Sequence, residues 1–152
     1  MFTLIRPFAA LALGILGLFA AEAYRPLNDI VPDTATFTLW TAGLSAFVGW
    51  VYLGGQMGRA LWYSIYASLQ AVALAAIVTS GVFSVYRIFQ LGYRRQYREP
   101  MEAFTGYFEN LVDFLRIGLE RDFLILLGAG ALIIGVALHI LHILLERRRL
   151  TR

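Results

Sequence analysis

The sequence predicts an all-α fold: an integral membrane bundle of four transmembrane helices, with an amphipathic in-plane helix between the third and the fourth. Three observations carry this. Residues 123–145, FLILLGAGALIIGVALHILHILL, contain no formal charge and end on Glu146, Arg147, Arg148 and Arg149. Hydrophobic residues make up 59% of the 152-residue chain and charged residues 15%, a balance ordinary for a helical membrane protein and unusual for a soluble domain. Bilayer-long apolar runs recur. At about 1.5 Å rise per residue the last of them reaches roughly 35 Å, more than a hydrocarbon core of about 30 Å.

The first span is placed at about 5–24, an apolar run broken only by Arg6 and Glu22. Its charged start and its AAEA end also have the form of a secretory signal. The chain carries the segment from Met1, so it is read as a retained helix. The connector RPLNDIVPDTAT follows, where Pro26 and Pro32 remove backbone donors and discourage helix.

The second span is placed at about 37–53, bounded by Trp40, Trp50 and Tyr52. Gly54, Gly55 and Gly58 with Arg59 are expected to make a tight turn. Trp62, Tyr63 and Tyr66 form an aromatic group suited to the headgroup layer. The third span is placed at about 61–89. Its Ser64, Ser68, Gln70, Thr79, Ser80 and Ser84 can bond back to the helix or across to neighbours.

Arg94, Arg95 and Arg98 form a basic cluster, and Pro100 suits a first helical position. From about 101 to 120 the period is helical. Glu102, Glu109, Asp113, Arg116 and Glu120 fall on one narrow stripe, with Phe104, Phe108, Leu111, Leu115 and Leu119 on the opposite side. The stripe is mostly acidic, which predicts packing across the membrane helices with the acids facing water. The fourth span is placed at about 123–145. Residues 1–152 thus form a single membrane domain, with no internal repeat and no low-complexity tract.

Composition excludes several chemistries. With no Cys there are no disulfides, thiol nucleophiles, Cys-bound zinc sites or Cys-bound iron–sulfur clusters. All 13 basic residues are Arg, so lysine Schiff-base chemistry is absent too. No extended basic face with interleaved aromatics points to nucleic acid. No phosphate loop, nucleophile elbow or metalloprotease motif is present. With the N-terminus inside, six arginines are cytoplasmic and seven are not, so the positive-inside rule does not choose. The acidic first connector tips the balance to both termini inside.

The sharpest constellation is His139, His142 and Glu146. Steps of three and four residues place them on one helix face as a candidate metal site, and a single His with a ligand from elsewhere would hold haem. The plainer alternative is that the imidazoles bond water, headgroups or Glu146. Glu22 is a candidate intramembrane ionisable group for a proton or cation, or an interfacial carboxylate paired with Arg25. Ala10 and Gly14, together with Gly128, Gly130, Ala131 and Gly135, are small residues suited to close helix packing or to docking another membrane protein. Arg94, Arg95 and Arg98, like Arg147, Arg148 and Arg149, are candidate contacts for headgroups or anions. No cofactor is expected from the residues alone. The expected partners are the bilayer and other membrane-protein subunits.

The order of features resembles the TrgA family, small bacterial membrane proteins associated with tellurium resistance. Ala20-Ala21-Glu22-Ala23-Tyr24-Arg25-Pro26 closes the first helix, and Gly49-Trp50 lies in the second. Arg94-Arg95 precedes Glu99-Pro100-Met101-Glu102-Ala103-Phe104, and an arginine-rich end follows. The resemblance spans nearly the whole chain. It implies a multi-spanning inner-membrane protein of a proteobacterium, linked to tellurite tolerance, and brings no catalytic residues. Lacking Cys, the chain cannot reduce tellurite through a thiol of its own. The functional expectation is a non-enzymatic membrane protein of this kind. The alternatives are an accessory subunit of a photosynthetic or respiratory complex, and a haem- or metal-binding redox protein. A transporter suits four helices poorly, because they enclose little interior and no pair of broken helices is evident.

Overall fold

Apolar runs separated by polar connectors fold into five long helices among the residues the structure describes. The computed structural model describes residues 5–27, 34–56, 60–93 and 100–150. Among these residues only Ala60, Leu119 and Glu120 lie outside helical structure, and there is no strand. α1 spans Ile5–Tyr24 and runs into a 3-10 turn, Arg25–Leu27. α2 spans Thr34–Val48, widens into a π turn at Gly49–Leu53 and closes with Gly54–Gln56. α3 spans Leu61–Tyr93, α4 Pro100–Gly118 and α5 Arg121–Leu150.

Four stretches among the described residues are long and apolar enough to cross a membrane: Ile5–Leu27, Ala35–Gln56, Leu61–Gly92 and Arg121–Glu146. The chain is a multi-pass membrane protein. α3, with 33 residues, is about 50 Å long and exceeds a hydrocarbon core of about 30 Å by several turns unless it tilts.

The bundle adds small polar residues to its core and exposes large apolar ones outside. α3 buries Ser64, Ser68 and Ser84 beside Ala67, Ala71 and Ala75, while Trp62, Ile77 and Phe89 face outward. Lipid tails are as apolar as leucine, so nothing drives large side chains inward, and small ones let backbones approach. α1 and α2 form the most extensive helix pair. A main core cluster gathers Ala9 and Leu13 of α1, Leu53 after α2, Ala71 of α3, and Ala131 and Leu138 of α5. A second, aromatic cluster gathers Tyr24, Phe37, Phe83 and Phe114.

Two features differ from expectation. Gly54 and Gly55 continue the helix instead of turning, because the π turn absorbs the irregularity first: the Gly54 N–H donates to the Gly49 carbonyl five residues back. Gly58 and Arg59 lie outside the described residues. The packed face of α4 is also rotated from the apolar side read from the sequence. Ala103, Gly106, Tyr107, Asn110 and Phe114 turn inward, and Phe104 and Leu119 are 62% and 66% exposed. Small Ala103 and Gly106 permit close approach, whereas large residues lose nothing by facing lipid. Glu102, Glu109, Asp113, Arg116 and Glu120 are exposed, as the stripe predicted. α4 therefore carries three facets, one packed, one apolar and one acidic.

Candidate functional site: a cavity inside the helix bundle

The last helix does not assemble the expected metal trio. No group of three His, Cys, Asp or Glu among the described residues is arranged to hold a metal ion. His139 turns toward α3, where its Nδ1 lies 3.2 Å from the Ser64 hydroxyl. His142 Nε2 sits 3.6 Å from Glu146 Oε1, and the Glu146 side chain is 67% exposed. The step from His139 to His142 rotates the second imidazole away from the seam, so the two rings serve different neighbours.

That seam is built from small and polar groups. Ala131, Gly135 and His139 recur every four residues and face Ser64 and Ser68. The Ser68 hydroxyl donates to the Ala131 carbonyl at 2.7 Å, a bond between helices. A Cβ at Gly135 would stand 2.7 Å from Ser68 Oγ and 2.9 Å from Ile65 Cα, so the backbones meet there because no side chain intervenes.

The other small residues divide. A Cβ at Gly14 would meet Ala46 Cβ at 3.2 Å, and Ala10 lies beside Gly49 of the π turn. Gly128 makes no such approach, for a Cβ there would find no atom of the described residues within 4 Å. The close contact of this region is made instead by Gly130, against the end of the Leu16 side chain. The reason is helical phase, since two residues are about 200° of rotation.

Glu22 forms an ion pair with Arg25 at 3.0 Å, with the Glu22 side chain 57% exposed. Arg25 also donates to Thr38 Oγ1 at 3.4 Å, linking the end of α1 to the start of α2. Arg94, Arg95 and Arg98 lie outside the described residues, as do the side chains of Arg147, Arg148 and Arg149.

A feature with room for a ligand lies elsewhere. A cavity of about 420 Å³ opens between the helices, lined by residues of all five. Tyr24, Phe37, Phe83, Phe114 and Phe123 form one wall. Tyr24 stacks on Phe37 with centroids 6.1 Å apart and meets Phe123 edge-on at 5.6 Å. Thr41 and Ser45 of α2 and Thr79 and Ser80 of α3 are the hydroxyl-bearing helix residues of an otherwise largely apolar lining. Thr41 and Ser45 are 7% and 5% exposed. Thr41 Oγ1 and Thr79 Oγ1 are buried with no hydrogen-bond partner. Thr41 is seven residues into α2, roughly 10 Å along its axis.

Sequence reasoning did not single out these hydroxyls. Thr79 and Ser80 read as generic polar residues of a span. The available signal was Thr41 and Ser45, four apart on one face of an apolar helix, but spacing within one helix does not reveal what stands opposite. No family model, curated protein or solved structure matches the chain.

Proposed function

We propose that this chain is a non-enzymatic protein of the bacterial inner membrane, with both termini in the cytoplasm. Its proposed role is tolerance to tellurium oxyanions, or envelope integrity under that stress. The observation that carries the non-enzymatic reading is the use made of the interior polar groups. His139 meets Ser64, Ser68 bonds the Ala131 carbonyl and Tyr24 bonds the Phe114 carbonyl. Each joins two helices, and they do not converge on one reacting point.

The tellurite link rests on the resemblance of the Ala20–Pro26, Gly49-Trp50 and Glu99–Phe104 stretches to the TrgA family. Residues of those motifs have structural work here: Tyr24 ties α1 to α4, and Gly49 lets α1 approach the π turn. A chain without Cys acts on tellurite indirectly or with a redox partner. Deletion of the gene should raise tellurite sensitivity, and re-expression should restore tolerance. Unchanged sensitivity in both strains would remove the role.

One observation favours a second reading, an accessory subunit of a larger photosynthetic or respiratory membrane complex. The apolar facet of α4, with Met101, Phe104, Phe108, Val112 and Leu119, is uncovered. Facets of this kind take either lipid or a neighbouring subunit. Co-purification at fixed stoichiometry after mild solubilisation would favour the subunit; a lone monomer would favour lipid.

A further inference from the structure

We propose that the cavity binds a neutral, lipid-soluble molecule whose carbonyl oxygens accept from the hydroxyls of Thr41 and Thr79. The site does not depend on the tolerance role.

The two hydroxyls are the starting point. In this bundle a serine hydroxyl ordinarily bonds a carbonyl one turn back, as Ser64 does to Ala60 and Ser84 to Ser80. Thr41 and Thr79 make no such bond, although both oxygens are buried. A buried polar group without a partner is unfavourable, and in native proteins it is normally satisfied by something. Both threonines line the same cavity, whose volume of about 420 Å³ falls in the range of small-molecule sites; each hydroxyl is covered in the ligand-free protein, and a turn about χ1 brings it to the cavity surface.

The lining specifies the chemistry. Among the described residues it includes no Asp, Glu, Arg or His, and the ionisable residue there, Tyr24, donates its hydroxyl to the Phe114 carbonyl. A charged headgroup would enter without a counter-charge, which is costly at membrane depth. A carbonyl is neutral and accepts from a hydroxyl donor. The aromatic wall and the alkyl remainder suit a ring or a chain. Ile77, Leu119 and Leu124 line the cavity and are also exposed, so its rim faces the apolar surroundings of the bundle. Entry is then from the bilayer. A quinone of the membrane and a neutral ester lipid share this chemistry.

The test uses the full chain in phosphatidylcholine nanodiscs. Equilibrium binding is measured for a decyl-substituted benzoquinone, for dioctanoylglycerol and for decanoate as the charged control. At least one neutral probe should saturate a single site. Saturation by the quinone alone assigns a ring, and by the glyceride alone an ester lipid. Thr41→Val and Thr79→Val should each weaken binding about threefold to tenfold, the worth of one hydrogen bond. The melting temperature of the ligand-free protein should hold or rise in both variants, because each removes an unsatisfied hydroxyl, and a merely structural threonine would give the opposite. Ala76→Phe fills the cavity and should abolish binding; if it does not fold, Leu124→Trp at the rim supplies the same block. Absence of saturable binding for both neutral probes would overturn the proposal. So would binding indifferent to the blocking variant, or decanoate binding as tightly as the neutral probes.

Discussion

The Tyr24 hydroxyl donates to the main-chain carbonyl of Phe114 at 3.0 Å, joining residues 90 positions apart. The bond ties the end of the first span to α4. The same ring stacks on Phe114 with centroids 6.2 Å apart, so the contact is apolar as well as polar. Tyr24→Phe should remove only the hydrogen bond. Polar contacts between helices in membranes average about 0.6 kcal/mol and reach about 1.7 kcal/mol. A loss in that range is expected on denaturation in mixed micelles. Tyr24→Ala also removes the ring and should cost about 3–5 kcal/mol.

Gly135 and Ser68 should be energetically coupled. Gly135→Ala places a methyl 2.7 Å from Ser68 Oγ and 2.9 Å from Ile65 Cα. The hydroxyl is held by its 2.7 Å bond to the Ala131 carbonyl and cannot simply swing away. Gly135→Ala should therefore destabilise by about 1–3 kcal/mol, the usual range for overpacking. In a Ser68→Ala background the cost should fall without vanishing, because the Ile65 backbone remains. A double-mutant cycle on unfolding free energies measures the difference.

The helical bundle was legible in the sequence because charge-free runs and their arginine or aromatic borders report directly on bilayer thickness. The Phe37–Leu53 run showed only its central turns, since polar Thr34 and Thr36 at one end and Gly54 and Gly55 at the other masked continuing helix. The partners of each face were much less legible. Gly128 and Gly130 look equivalent along the chain, and only the position of Leu16 on another helix distinguishes them. The two spacings that united His139, His142 and Glu146 gave a face but not the serine opposite it. Thr41 and Thr79 meet in one cavity only because α2 and α3 are brought together by tertiary packing.

His139 and His142 should behave differently on substitution. His139→Ala removes a group packed against Ser64 at the α3–α5 seam, so it should lower stability by about 1 kcal/mol. His142→Ala touches only a 3.6 Å contact to an exposed carboxylate and should stay within about 0.5 kcal/mol. Metal analysis of both variants beside the unaltered protein should give equal, unfilled occupancy. Metal lost on His142→Ala would restore the trio as a site.

Gly49 offers the most discriminating test of how α1 meets α2. A Cβ at this position would fall 2.6 Å from the Ala9 carbonyl oxygen and 3.0 Å from Ala10 Cα, both main-chain atoms. The first residue of the π turn can therefore carry no side chain unless a helix moves. Gly49→Ala should cost about 1–3 kcal/mol, and no side-chain truncation on α1 should recover it. Gly130 provides the contrast, because its obstacle is the mobile end of Leu16. Gly130→Ala should cost less, and Leu16→Ala should relieve what cost there is. Gly43, with no atom within 4 Å of an added Cβ, should gain up to about 1 kcal/mol as Ala from backbone entropy alone. Denaturation of the three single variants and the Leu16→Ala combinations would expose the order. Equal costs at Gly49 and Gly43 would mean that the two helices do not approach through the π turn.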